Sequence, residues 1–337
     1  MYTTPAIDEP HFDLDVTLGL FDGISCGQEA LKRAGITTRI YLASEIEKYP
    51  MIITRKNHPL TVQLGDVRDV KGENLPKVDL ILGGSPCQGF SFAGKQLNFD
   101  DPRSALFFEF VRVLEECREF NPDVKFLLEN VRMKKEFKDI ITEHLGVEPV
   151  MINSSLVSAQ NRKRLYWTNI PGVGQPEDKG ILLKDVLEDG IASNEMTTKG
   201  KSYCLTARYS GAVAWNSIEK KQRTMVKTEP TCGRIVGRKI NPETGKRDDY
   251  NPNLKIEQRL EPRLDEKTGT LTTVQKDNVV VDGPTYRKLT PIECERLQTL
   301  PDNYTEGVSN TQRYKALGNG WTVDVIVHLL QGLKWQS

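Results

Sequence analysis

Residues 78–91 read VDLILGGSPCQGFS, an apolar run followed directly by a glycine pair, a proline and a cysteine. The mostly aliphatic run Val78–Leu82 predicts a buried strand of a parallel sheet. The glycine pair ends that strand, and Pro86 fixes the backbone just before Cys87. Ligands collect at the carboxyl ends of strands in open α/β sheets. We therefore expect the Cys87 thiol to be placed as a nucleophile.

The first half of the chain alternates between strand and helix patterns. Strands are predicted at residues 16–20, 39–43, 61–64, 78–82 and 125–128, and helices at 28–33, 46–57 and 104–120. Such alternation predicts an α/β fold, with a parallel sheet covered by helices on both faces. Sequences typical of a capping box begin at Thr290 and Ser309, and a last helix is predicted at 323–333.

Residues 172–284 have a different character, with many Gly, Pro, Thr, Asn and Lys residues and only short apolar runs. This composition predicts an irregular, mostly β region. We therefore expect a large domain from residues 1–171 plus 310–337, and a smaller one from 172–309. The segment Glu195–Arg263 holds fifteen Lys and Arg against eight Asp and Glu. Charge alone leaves open whether this basic segment binds nucleic acid or is a solvated, lysine-rich insertion.

The overall composition is that of an ordinary globular protein. The 337 residues are 38% hydrophobic and 27% charged, with a formal net charge of zero. No apolar run reaches the length of a membrane span, and the first residues lack the basic and apolar regions of a signal peptide. Six cysteines and four histidines are too scattered for a zinc site. We expect no metal, no membrane contact, and reduced thiols in a cytoplasmic compartment.

Acidic residues follow the first three predicted strands. The turn Phe21–Gly27 after the first strand contains glycines that let a ligand approach the backbone. Glu45 follows the second strand, where a carboxylate can bind ribose hydroxyls. Asp66 follows the third strand, where it can accept a hydrogen bond from an adenine amino group. Because no lysine of a phosphate-binding loop is present, a nucleoside-containing cofactor that needs no phosphate site fits better. Each acid could instead be a plain helix N-cap.

Two further polar groups are expected near Cys87. Glu129 follows an apolar strand and should lie at the same edge of the sheet. There it could stay protonated or form a hydrogen bond with a heterocycle, or it could accept hydrogen bonds from nearby backbone amides. The segment Gln160–Arg164 reads QNRKR, and its first, third and fifth side chains share one face if it is extended. That face could hold an anionic or carbonyl-bearing substrate, or it could form surface ion pairs.

Together these motifs resemble the C5-cytosine DNA methyltransferase family, in that family's order. The matching blocks are Phe21-Asp22-Gly23, Glu45, Asp66, Ser85-Pro86-Cys87-Gln88, Glu129-Asn130-Val131, Gln160-x-Arg162-x-Arg164 and Gly318-Asn319-Gly320-Trp321. The resemblance covers residues 14–171 and 286–333. The loop at 90–96 is similar to bacterial modification enzymes, and the tail at 304–323 is more similar to animal de novo methyltransferases. Residues 172–285 match nothing we can name, and this is where the family places its target-recognition region.

The resemblance implies transfer of a methyl group from S-adenosyl-L-methionine to C5 of a cytosine flipped out of double-stranded DNA. Cys87 would add to C6 of the base, and Glu129 would engage its N3 and exocyclic amine. Arg164 would contact the base carbonyl, with Arg162 supporting the site. The implied cofactor contacts are Phe21, Asp22, Gly23, Ile24, Glu45, Ile46, Asp66, Val67, Leu106, Asn319 and Trp321. The implied DNA contacts are Gln88, Ser91, Lys95, Arg103 and Gln160.

Some features of the resemblance leave alternatives open. Ile46 stands where many bacterial members have a tryptophan, and Gly320 replaces a small hydroxyl residue. Trp321 would lie against the cofactor or pack the last helix. The chain lacks the Cys-Phe-Thr signature of the tRNA-modifying branch, and it keeps the nucleophile and cofactor acids that non-catalytic homologues lose. We expect a cytoplasmic bacterial or phage modification enzyme, as in restriction–modification systems, that is a monomer or a weak homodimer. Its large domain would be catalytic and its small domain would recognise the target.

Overall fold

The structure is a computed structural model that describes residues 13–86, 105–228, 232–242, 244–248, 250–263 and 285–336. The described residues form a seven-stranded central sheet. Its strands are β1 (Leu14–Leu20), β2 (Thr38–Ser44), β3 (Val62–Gln63), β4 (Leu80–Gly83), β5 (Lys125–Val131), β6 (Val150–Asn153) and β7 (Lys163–Thr168). In space they follow the order β3-β2-β1-β4-β5-β7-β6. The predicted α/β fold class is confirmed.

Strand β7 runs against its neighbours. The strands from β1 to β5 pair in parallel, whereas β7 is antiparallel to both β5 and β6. The sheet is therefore mixed, and the prediction of a parallel sheet is corrected for this edge. The reversal pairs Val131 at the end of β5 with Arg164 near the start of β7. Residues just before β7 thus reach the edge where the parallel strands end.

Helices cover both faces of the sheet, as predicted. They are α1 (Cys26–Ala34), α2 (Lys48–Asn57), α3 (Ala105–Phe120), α4 (Lys135–Leu145), α5 (Ala214–Ile218), α6 (Pro291–Leu297), α7 (Asn310–Asn319) and α8 (Val323–Leu330). Leu80 of β4 shares a core with Ile326 of α8, and its neighbour Ile81 shares the opposite core with Phe110 of α3. This alternation is expected for a strand buried on both sides. Each such side chain contributes about 1.5–3 kcal/mol through burial.

The region after residue 171 is irregular, as predicted. It contains two small antiparallel sheets, one of β8 (Met225–Thr228) with β11 (Thr285–Lys288), and one of β9 (Cys232–Lys239) with β10 (Ile256–Arg263). Its buried residues Leu205 and Tyr209 belong to the same apolar cluster as Ile326 of α8. The hydrophobic core is therefore continuous across the proposed domain boundary, and the division into two domains stays a prediction.

The C-terminal helices begin where the sequence places them. At α6 the predicted capping box is formed, because Glu293 N–H donates to Thr290 Oγ1 (3.1 Å) and Thr290 N–H donates to Glu293 Oε2 (2.8 Å). At α7 the expected box is wrong: Ser309 is the N-cap, but its hydroxyl makes no capping hydrogen bond, and only its carbonyl accepts from Arg313. Helix α8 ends at Leu330 and continues as a 3₁₀ turn. No helix in the described part of the chain is long and apolar enough to cross a membrane.

Candidate active site

Most of the predicted site residues that the structure describes lie where the central strands end. Asp22 follows β1, Glu45 follows β2, and Glu129 lies in the last part of β5. The side-chain amide of Asn130 donates to Ser85 Oγ (3.2 Å), which ties the end of β5 to the segment leading to Cys87. The predicted residues Cys87, Gln88, Ser91, Lys95 and Arg103 lie outside the described residues. Their roles therefore stay predictions.

Glu129 and Arg164 form a buried ion pair at this edge. Arg164 Nε lies 2.8 Å from Glu129 Oε1, and the side chains of Arg164 and Glu129 are only 15% and 11% exposed. The two meet because β7 is reversed and its start lies beside the end of β5. Within the described residues, Glu129 Oε1 has no donor in hydrogen-bonding geometry. An acceptor left in this state favours a ligand that brings its own N–H group.

Arg162 shares a face with Arg164, as the alternation predicts. Its Nη1 lies 3.6 Å from Cys204 Sγ, and Arg164 Nη2 lies 3.9 Å from the same sulfur. Arg162 is 3% exposed and donates to the carbonyls of Leu205 (3.1 Å), Gly318 (3.3 Å) and Gly320 (2.9 Å). It therefore joins the start of β7 to the segment at Leu205 and to the end of α7, which fits a supporting role.

The placement of Gln160 argues against the predicted DNA contact. Its side chain is fully buried. The amide nitrogen donates to Leu297 O (3.1 Å) and to Gln298 Oε1 (3.3 Å), and Oε1 accepts from Leu205 N–H (2.9 Å). Both polar atoms are thus committed inside the protein, and none faces solvent. We correct the assignment of Gln160 from a DNA contact to a structural group.

Asp22 lies in a tight turn after β1. Its carboxylate accepts hydrogen bonds from Tyr41 Oη (2.8 Å) and from the Ser25 hydroxyl. Burial raises the pKa of Asp22 to about 6, and the Glu45 carboxylate adds to the rise. A Cβ on Gly19 would lie 2.4 Å from Asp22 Oδ1, so a side chain there would displace the carboxylate. The turn thus holds a titratable group at the strand edge.

Glu45 binds the same turn. Its Oε2 accepts from Gly23 N–H (2.9 Å), and Oε1 accepts from the N–H groups of Ile46 (2.8 Å) and Glu47 (2.7 Å). Glu47, and not Glu45, is the N-cap of α2. Each carboxylate oxygen can accept more than one hydrogen bond, so capacity for a ligand remains. The neighbouring Ile46 side chain is 69% exposed, which leaves an apolar surface at this edge.

Asp66 is a helix N-cap, which is the alternative that the sequence left open for this acid. It is the N-cap of the 3₁₀ turn Val67–Asp69 and accepts from Arg68 N–H (3.0 Å). Its carboxylate also pairs with the Arg68 guanidinium, which lowers the pKa of Asp66 to about 2. Val67 is buried in the core behind it. Asp66 is therefore ionised over the whole physiological range, and an adenine contact would share this carboxylate with Arg68.

The remaining cofactor candidates have distinct environments. Ile24 is buried, Leu106 is half-buried at the start of α3, and Asn319 is exposed at the end of α7. Phe21 is half-buried and has a positive φ of 55°. Half-buried Trp321 packs on Gly84, where an added Cβ would lie 2.9 Å from the indole Nε1.

Sequence reasoning did not identify Gln298, Cys204 or Gly84 as parts of the site. Gln298 ends a short helix, Cys204 follows an ordinary turn, and Gly84 looks like a strand terminator. Their importance comes from contacts between distant segments, for which the chain carries no local signal. Among the described residues, no group of three or more His, Cys, Asp or Glu residues could hold a metal ion.

Comparisons with known proteins agree with this geometry. The profile of the family described as C-5 cytosine-specific DNA methylase matches residues 16–335. The orphan methyltransferase M.SPRI of Bacillus phage SPR is 25% identical and covers 94% of this chain and 96% of its own length. The type II methyltransferase M1.ScrFI of Lactococcus lactis subsp. cremoris is 30% identical over 84% of this chain and 69% of its own.

A solved structure supports the fold independently. The Entamoeba histolytica methyltransferase EhMeth superimposes with a TM-score of 0.63 at 17% identity, covering 95% of this chain and 97% of that one. At this level of identity the likeness concerns the fold alone. The profile match over nearly the whole length decides the family. This chain belongs to the C-5 cytosine-specific DNA methylase family.

Proposed function

We propose that this methyltransferase acts on C5 of a cytosine flipped out of duplex DNA, through a covalent bond between Cys87 and C6 of the base. The observation that carries the proposal is the buried Glu129–Arg164 pair at the carboxyl end of β5. Asn130, beside Glu129, is bonded to Ser85, two residues before Cys87. The segment that leads to Cys87 is therefore tied to the strand that carries Glu129.

The chemistry assigned to the chain's own residues follows from what cytosine lacks. C5 of cytosine is a weak nucleophile, and addition of the Cys87 thiolate to C6 makes it enamine-like. Glu129 Oε1, whose 2.8 Å contact with Arg164 Nε does not have hydrogen-bond geometry, accepts from the exocyclic amine. Arg164 stabilises the ring carbonyl while negative charge builds up. After methylation the C5 proton leaves to a base not yet identified, and the C6–S bond breaks to restore the thiol.

The residues at the ends of β1, β2 and β4 fit S-adenosyl-L-methionine. When bound, this cofactor supplies an electrophilic methyl group on a sulfonium. Glu45 keeps acceptor capacity for hydroxyl groups, and exposed Ile46 offers an apolar face for the adenine. Gly84 leaves room beside Trp321 that a side chain would fill. We assign target recognition to residues 172–309, and exchange of this region with that of a relative is expected to change the methylated sequence.

Methyl transfer from methyl-labelled S-adenosyl-L-methionine tests the function. We expect label in unmethylated bacterial genomic DNA and none in bulk tRNA, and bisulfite sequencing of the product gives the target. Cys87→Ala should abolish transfer while cofactor binding is kept. Cys117→Ala, on the buried face of α3, is the matched control and should stay active. Activity retained in Cys87→Ala would overturn the covalent mechanism, and label only in tRNA would overturn the substrate.

The covalent step has its own assay. On duplex DNA containing 5-fluorocytosine at the target, methyl transfer from S-adenosyl-L-methionine leaves fluorine and methyl on C5 and no proton, so the C6–S bond cannot be broken by elimination. We expect a protein–DNA complex that survives denaturing electrophoresis for the wild type and for Cys117→Ala. The complex should be missing for Cys87→Ala. A trapped complex in that variant would assign the nucleophile elsewhere.

A further inference from the structure

An element of the basic region begins directly at the candidate active site. Cys204 Sγ lies 3.6 Å from Arg162 Nη1 and 3.9 Å from Arg164 Nη2. Just beyond, the backbone at Thr206 packs on α7, since a Cβ on Gly318 would lie 2.2 Å from Thr206 C. The segment Cys204–Thr206 is therefore packed between the two arginines and α7 before the chain reaches the surface.

The following residues, Arg208–Arg223, connect through the short helix α5 and are braced from within; we call this segment the 208–223 loop. At its base, buried Tyr209 donates through Oη to Thr224 O (2.5 Å). Buried Ser217 donates to Arg223 O (2.6 Å), and Arg223 Nη1 donates to Gly211 O (3.0 Å). These bonds tie the two ends of the loop to each other and to its middle.

The outer surface of the 208–223 loop is both aromatic and basic. Trp215 is 61% exposed and Val213 is 53% exposed. Lys220 Nζ lies 5.1 Å from the centroid of the Trp215 ring, which is within cation–π range. Arg208, Lys220 and Lys221 are exposed, and Glu219 is the one acidic residue of the loop sequence. A braced loop that exposes a tryptophan beside several cations marks a binding surface.

We propose that the 208–223 loop is a DNA-contact element beside the site of the flipped cytosine. Lys220 and Lys221 bind phosphates of the duplex, and Trp215 packs against sugars or bases next to the target. Phosphate is the complementary charge for the lysines, and aromatic side chains stack on or wedge between bases. The inference rests on the proposed function, because the loop is joined to Arg162 and Arg164 through Cys204.

The test compares two variants with two controls. Lys220→Ala/Lys221→Ala and Trp215→Ala change the loop. Lys71→Ala/Lys77→Ala and Phe120→Ala remove exposed lysines and an exposed aromatic ring from the far end of the sheet, where β4 begins and α3 ends. All four proteins are checked for cofactor binding and thermal stability, which should match those of the wild type.

Binding is measured by fluorescence anisotropy on a labelled duplex of random sequence over a range of salt concentrations. Each phosphate contact contributes about 0.9 to the slope of log affinity against log salt, so the double-lysine variant should lose about 1.8. Trp215→Ala should weaken binding by about tenfold with an unchanged slope, within the range of one base-stacking contact. Both control proteins should bind as the wild type does.

Three outcomes would overturn the proposal. Unchanged affinity and slope in the loop variants would mean that DNA does not contact the loop. Equal losses in the controls would mean a nonspecific charge effect. Self-association that is lost in Trp215→Ala while DNA binding persists would make the loop a protein interface. The proposed function fails separately, by the absence of methyl transfer from the wild type to DNA.

Discussion

Arg162 and Gln298 donate hydrogen bonds to the same atom, the carbonyl oxygen of Gly320, over 2.9 Å and 3.1 Å. Gln298 Nε2 also donates to Leu317 O (2.6 Å), and its Oε1 accepts from Thr322 Oγ1 (2.9 Å). Two side chains from distant segments therefore fix the peptide that leads into Trp321. The position of that indole at the end of β4 depends on this shared acceptor.

Replacing Gln298 should disturb the proposed cofactor site indirectly, through the peptide that precedes Trp321. Gln298→Leu removes the donor to Leu317 O, one of the two donors to Gly320 O and the acceptor for Thr322 Oγ1. The buried groups that lose a partner cost about 1–3 kcal/mol of stability. Because the peptide before Trp321 is then held less firmly, we also expect weaker binding of S-adenosyl-L-methionine. Chemical denaturation and calorimetric titration measure the two effects. Thr322→Val is the control, since it removes one bond to Gln298 and leaves Gly320 held. Equal loss of cofactor affinity in both variants would refute the special role of the Gly320 carbonyl.

Gly84 should tolerate no side chain. A Cβ there would lie 2.9 Å from Trp321 Nε1 and 3.3 Å from the ring carbons, closer than normal packing allows. Gly84→Ala should therefore push the indole away and cost about 1–3 kcal/mol by overpacking. We expect a lower melting temperature and a higher KM for the cofactor. Gly174→Ala, which meets no atom within 4 Å, should change neither. A wild-type KM in Gly84→Ala would mean that Trp321 does not contact the cofactor.

The fold was predictable because it is encoded in short-range patterns. The run at 78–82 is buried on both sides, and the Thr290–Glu293 box caps its helix through neighbouring residues. The direction of β7 was not predictable, because an apolar strand reads alike in both directions. That direction decides whether Arg164 meets Glu129.

In the candidate site, too, the residues placed by short-range patterns were predictable and those placed by distant contacts were not. Asp22, Glu45 and Glu129 were predicted correctly as strand-end groups, since Asp22 and Glu45 come just after apolar strands and Glu129 lies near the end of one. Gln160 was assigned to DNA from its motif, whereas its burial follows from contacts with Leu297, Gln298 and Leu205. Such contacts join residues more than a hundred positions apart in two cases, and the sequence gives no sign of them.

Asp22 makes the stability of the cofactor-free protein depend on pH. Its pKa is raised by burial from 3.8 to about 6, so the folded state resists ionisation more than the unfolded state does. The free energy of folding that is lost by ionising the buried Asp22 is small below pH 4, grows as the pH rises, and reaches its full value above about pH 6. Asp22→Asn removes it. The stability of Asp22→Asn relative to the wild type should therefore rise by about 2 kcal/mol between pH 4.5 and 7.5.

Urea denaturation of both proteins at the two pH values measures this difference. Asp15→Asn is the control, because it removes a carboxylate that pairs with Arg39 on the surface, and a change of the same size there would show that burial is not the cause. A flat difference for Asp22→Asn would mean that the carboxylate is solvated, and the environment assigned to it would be wrong.

Glu129 should carry a large part of the rate. Glu129→Gln keeps the shape of the side chain but removes the charge that pairs with Arg164 and places an N–H₂ group where an acceptor is needed. We expect methyl transfer to DNA to fall by about 100- to 1,000-fold, the range for loss of one electrostatic contact in a transition state. Cofactor affinity should be unchanged, since the contact described for Glu129 is to Arg164 and not to the residues at the ends of β1 and β2. Glu136→Gln on α4 is matched in chemistry, pairs with Lys134 at the surface, and should leave the rate as it is. A Glu129→Gln enzyme within fivefold of the wild-type rate would show that the buried pair is structural.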